Sequence, residues 1–181
     1  MARLAAVLLI NQPKNKIMPA TPLINTLVTL YVNTAGDLNN NLEENVWFAD
    51  TDGDIVDDNG GNVENYLTEI TKNGNVTWVG AVLDIRANPS DYVIITGVTI
   101  KNDNQNNDNQ NNDNQNKVRI TGEPSSNPNG NITHVNGRVD GAPNPTPFGY
   151  TITFVVGKID GNGQRTWNTY SIDPKLRIVG S

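Results

Sequence analysis

Tyr150-Thr151-Ile152-Thr153-Phe154-Val155-Val156 is the stretch that decides the fold. Large apolar residues stand at 150, 152, 154 and 156, with threonines at 151 and 153. A period of two belongs to a β-strand with one buried face. Aromatic and β-branched side chains suit a pleated, half-buried surface.

Working outward, a polar loop containing Gly161 and Gly163 follows, and then Trp167-Asn168-Thr169-Tyr170-Ser171-Ile172. The two runs flanking this loop are expected to pair as a hairpin. Pro174 is expected to end the second strand, because proline has no N–H for the ladder. On the N-terminal side, strands are expected at residues 4–10, 27–32, 46–49, 66–71, 76–83, 92–100, 118–121 and 133–139, with a last one at 176–179. In 92–100, Ile94, Val98 and Ile100 share one face and Val93 and Ile95 the other, so burial on both sides is expected near its start. Asn-Gly and Asp-Gly steps at 59–60, 73–74, 129–130, 136–137 and 160–161 recur among these runs. Such residues reach positive φ cheaply and favour hairpin turns. Residues 62–71 lack the length and sustained 3.6 period of an amphipathic helix, although a helical turn fits there. The expected fold is all-β: one antiparallel β-sandwich domain over residues 1–181, with long polar loops.

Bulk properties narrow the function. The net charge of −6 and the scattered 13 Lys and Arg disfavour nucleic acid, whose phosphates an acidic surface repels. The absence of cysteine excludes disulfides, thiolate zinc sites and thiol catalysis, and fits a reducing, cytoplasmic setting. Residues 4–10, Leu-Ala-Ala-Val-Leu-Leu-Ile, read as a first strand, with a short signal peptide and secretion as the alternative. The run is too short to span a membrane.

Residues 102–116 are three tandem copies of Asn-Asp-Asn-Gln-Asn between Lys101 and Lys117. The tract has no apolar groups with which to offset its ordering entropy. It reads as an insert in a solvent loop, or as a polar ladder that pairs with a neighbouring chain.

Motifs for catalysis are missing from the sequence. His134 is the single histidine and sits beside the Asn136-Gly137 turn. HExxH, GxSxG and the phosphate-binding GxxxxGK[ST] do not occur. Gly161-Asn162-Gly163 begins like a nucleotide loop, but Thr166 replaces the third glycine and no helix follows, so it reads as a hairpin turn. The glutamates Glu43, Glu44, Glu64, Glu69 and Glu123 stand in no context that suggests paired-carboxylate hydrolysis.

The sharpest local feature is Asp50-Thr51-Asp52-Gly53-Asp54-Ile55-Val56-Asp57-Asp58. Alternating carboxylates in a tight loop can wrap calcium, with Asp50, Asp52 and Asp54 as ligands and Asp57 and Asp58 adding charge. The same stretch also reads as an acidic, solvated connection. Ile55 and Gly61 occupy the positions where an EF-hand needs its glycine and its glutamate. Of Trp47, Trp78 and Trp167, Trp78 reads as core, while Trp47, beside the acidic loop, is the candidate platform for a carbohydrate ring. The sequons at Asn75 and Asn131 arise readily by chance in so Asn-rich a chain.

Taken together, the opening apolar strand, Asn73-Gly74-Asn75-Val76-Thr77-Trp78, the alternating 150–156 strand and the Asp173-Pro174-Lys175-Leu176 ending resemble the PixA/AidA inclusion-body family of small bacterial proteins. The resemblance spans about two-thirds of the chain on short motifs. Val79 stands where that family commonly has arginine, and the acidic loop and the repeat are additions. The resemblance implies a β-sandwich, cytoplasmic accumulation as inclusions, self-association and no established enzymatic activity. A calcium-assisted carbohydrate-binding module is the alternative, resting on the acidic loop and Trp47.

Overall fold

Strand periodicity is realised almost everywhere it was read. The computed structural model describes residues 25–51, 63–101, 118–121, 134–159 and 161–180. Its strands are β1 (Asn25–Val32), β2 (Val46–Asp50), β3 (Leu67–Thr71), β4 (Asn75–Val82), β5 (Tyr92–Ile100), β6 (Val118–Thr121), β7 (His134–Val139), β8 (Asn144–Ile159), β9 (Arg165–Ile172) and β10 (Lys175–Val179). Single 3-10 turns at Glu43–Asn45 and Val63–Asn65 are the helical segments among the described residues. The second falls where a helical turn was allowed. The expected strand at 4–10, most of the acidic loop and the 102–116 insert lie outside the described residues.

The strands form two mixed sheets, β2-β1-β4-β7-β6 and β3-β10-β8-β5, with β9 also paired to β8. Most pairs are antiparallel, as expected, but β1–β4 and β3–β10 run parallel. A parallel pair needs a crossover connection. The chain supplies one by placing β2 and β3 between β1 and β4 in sequence, on opposite sheets.

β8 is much longer than the stretch that announced it. Residues 152–159 pair with β9, and residues 144–149 pair with β10. β9 and β10 thus lie along the same side of β8, separated at Asp173-Pro174, where the Tyr150 N–H donates to the Pro174 carbonyl at 3.0 Å. The β8–β10 register shifts between Leu176 and Ile178, opposite a segment carrying Pro145 and Pro147. Those prolines cannot donate to a regular ladder.

β5 corrects the expectation of burial on both faces. Val93 and Ile95 are buried, and so are Val98 and Ile100, although the two pairs differ in parity. A bulge reconciles them: Ile95 faces Phe154 and Gly97 faces Thr153, leaving Thr96 as an extra residue. Its hydroxyl donates to the Thr153 carbonyl at 3.2 Å. One inserted residue exchanges the two faces of a strand, so β5 keeps a single buried face along its length.

Between the sheets lies one apolar cluster that includes Leu30, Phe48, Trp78, Ile95, Tyr150, Phe154 and Leu176. Two glycines set its tolerances. A Cβ at Gly137 would come within 2.9 Å of the Trp78 ring, so the absent side chain makes room for the indole. A Cβ at Gly80 would stand 2.9 Å from the Val93 carbonyl oxygen, so β4 passes directly against the β5 backbone there.

Candidate functional site

Asp50 stands at the end of β2 with the parity of Val46 and Phe48, which are buried. It therefore faces the rim of the core. Tyr66, next to β3, reaches it: the phenol donates to Asp50 Oδ2 at 2.9 Å, and its ring stacks on Phe48 at 4.7 Å. Tyr150 lies further in, where the Trp78 indole N–H donates to its hydroxyl at 3.4 Å. Burial, with the nearby Asp50 charge adding, pushes the Tyr66 phenol well above the ordinary tyrosine range. Burial pushes Tyr150 up to about 12. Asp50 thus serves the structure as an acceptor for a buried phenol. Asp52, Asp54, Asp57 and Asp58, the rest of the expected calcium set, lie outside the described residues.

The tryptophans separate by environment. Trp78 is wholly buried, as read. Trp47 is partly buried on the outer face of its sheet, paired with Tyr31 across the β1–β2 ladder. Trp167 is 59% exposed. It faces Gly157, and Gly157 faces Tyr92 on its other side, so the three form a row across β9, β8 and β5. A Cβ at Gly157 would fall 2.0 Å from Cζ of Tyr92, so the tyrosine ring lies over the bare glycine. A groove of about 680 Å³ opens here, lined by Tyr92 and Trp167 with Ile85, Ser90, Asp91 and Arg165. Leu83 and Ile85, two other exposed apolar residues, come from the same β4–β5 connection. An exposed aromatic row beside polar groups can stack on a sugar or cover a protein surface. Sequence reading placed the platform at Trp47. The available clue to this row was Gly157, which interrupts the apolar run straight after Val156.

A second hollow, of about 380 Å³, lies at the opposite end of β9. Residues 39–44 and 171–173 line it, so it carries Glu43, Glu44 and Asp173. Asp173 is paired with Lys101 at 2.8 Å and accepts from the Thr151 hydroxyl at 2.6 Å. Burial draws its pKa upward, but the Lys101 and Thr151 contacts outweigh this and hold it below the ordinary value. That is the opposite of the raised pKa a general acid needs. His134 stands on β7 opposite Val79 and lines neither hollow. No group of three or more His, Cys, Asp or Glu that could hold a metal ion occurs among the described residues. No helix among them is long and apolar enough to cross a membrane.

No family model matches the sequence, and no curated protein matches it. Among solved structures the chain is similar to the crystal structure of an inclusion body protein, PixA, from Burkholderia cenocepacia J2315. The TM-score is 0.58 at 9% identity, and the match covers 90% of this chain and 99% of that one. The resemblance read from the sequence therefore holds at the level of fold.

Proposed function

We propose that this chain is a non-enzymatic, self-assembling β-sandwich protein of a bacterium, one that accumulates in the cytoplasm as an inclusion. The observation that carries this reading is the fold likeness, which spans 90% of the chain and nearly all of a protein described as an inclusion body protein. Accumulation at inclusion density selects for surfaces that associate weakly and repeatedly, and exposed strand edges and flat polar faces provide them. Sedimentation of the purified chain from micromolar to millimolar concentration should show mass rising with concentration. A strict monomer throughout, with residues 102–116 present or deleted, would rule the proposal out.

The groove beside Trp167 favours a second reading, a carbohydrate-binding module assisted by calcium in the acidic loop. Trp167 is by far the most exposed of the tryptophans, so a stacking sugar should change the fluorescence chiefly through it. Titration with a soluble oligosaccharide such as cellohexaose, with and without millimolar calcium, should then shift emission in the native chain and not in Trp167→Ala. Calcium at about a hundred times its Kd should also add about 2.7 kcal/mol of stability. An unmoved melting temperature and unmoved emission would together remove this reading.

A further inference from the structure

Sheet edges invite pairing with other chains, and proteins usually blunt them with charge, shortness or bulges. The other edges here are blunted in these ways. β6 is four residues long and carries Arg119, and β3 is five residues long and carries Glu69. β2, also five residues, ends on Asp50. β5 has its bulge at Thr96 and runs close to β4 at Gly80. β9 differs. It is eight residues long, β8 is its one strand partner among the described residues, and residues 166–172 contain no charge, proline or glycine.

Its ends carry opposite charges. Exposed Arg165 opens the strand, whereas the hollow with Glu43, Glu44 and Asp173 lies beside its last residues, Ser171 and Ile172. Antiparallel pairing of two copies of such a strand brings each basic end to the other's acidic end. With a twofold axis at Thr169, Trp167 faces Ser171 of the second copy, and Arg165 faces Asp173 of the second copy beside that hollow. The match occurs twice by symmetry, and the exposed Trp167 gains cross-strand neighbours.

We propose that β9 is the self-association edge of this protein, pairing antiparallel with β9 of a second copy about Thr169 to join two sheets into one. This rests on the self-assembly reading above and names its surface.

The chain has no cysteine, so a single introduced one reports without background. Directly opposed residues in an antiparallel pair have Cα atoms about 4.5–5.5 Å apart, within disulfide reach. Thr169→Cys should therefore yield a covalent dimer on mild oxidation. Thr166→Cys, whose own copy would lie six residues along the strand, about 20 Å away, should not. Thr169→Lys and Arg165→Glu, both at exposed positions, should keep the native melting temperature. Each should raise the dissociation constant at least about tenfold, because like charges then meet across the edge. If the native chain associates while Thr169→Lys associates equally well and Thr169→Cys stays uncrosslinked, β9 is not the edge and the self-assembly reading stands without it. If the native chain is monomeric at every concentration, both fall together.

Discussion

Replacing Trp78 with alanine is expected to cost about 3–5 kcal/mol of folding stability, the range for deleting a fully buried large aromatic. Trp78 is 0% exposed and sits on β4, paired with Val28 on one side and Val135 on the other. It is thus held within its sheet by both neighbours. Its ring occupies the space left by Gly137 and packs against Tyr150 at 5.7 Å between centroids. Alanine would leave a cavity that rigid strands on both sides cannot close, and would remove the indole donor from a buried hydroxyl. Since small domains are stable by about 5–15 kcal/mol in total, much of the native margin would go. Urea unfolding should show a lower midpoint with an unchanged slope. A cost under about 1 kcal/mol would mean that Trp78 is not part of the packed core.

Alkaline pH is expected to unfold the protein through the same cluster. In the unfolded chain a tyrosine ionises near its ordinary value of 10.0, whereas burial pushes Tyr150 up to about 12 in the fold. Below pH 10 both states hold the proton and the contribution is fully present. Above it the unfolded state releases protons first, so stability falls as pH rises and is lost through the folded value. Two pH units at 1.36 kcal/mol each amount to about 3 kcal/mol from Tyr150 alone. Tyr66, raised in the same direction by burial and by Asp50, adds to the loss. Urea midpoints should therefore hold below pH 10 and decline above it. Tyr150→Phe should decline less over the same window, at the cost of the long Trp78 hydrogen bond. A midpoint flat to pH 12 would show that neither phenol is shielded.

Much of the β-structure was legible because alternation is a local property. Phe154 and Tyr150 point inward for the same reason that they recur every second residue, and no distant partner is needed to see it. The hairpin of β8 and β9 and the stop at Pro174 were legible for like reasons, namely a short polar loop and a missing N–H. The burial of Trp78 followed from its place within a strand of apolar neighbours.

The candidate site was less legible, since each of its features joins residues far apart in sequence. Tyr66 finds Asp50 across a 16-residue separation that no spacing rule links to hydrogen bonding. Tyr92 and Trp167 stand on either side of Gly157 only because β5 and β9 both flank β8. Sequence proximity to the acidic loop pointed to Trp47, but exposure depends on which face of which sheet a residue occupies.

The sequence by itself determined that this chain forms β-strands, where most of them begin and end, and which face of most of them is apolar. Tertiary structure alone decided the two parallel pairs, the bulge that gives β5 one buried face, and the placement of β9 with β8 as its one strand partner among the described residues. The division has a physical cause. Side-chain period and turn chemistry act between neighbours in the chain, whereas register and edge exposure depend on how all the strands share one core.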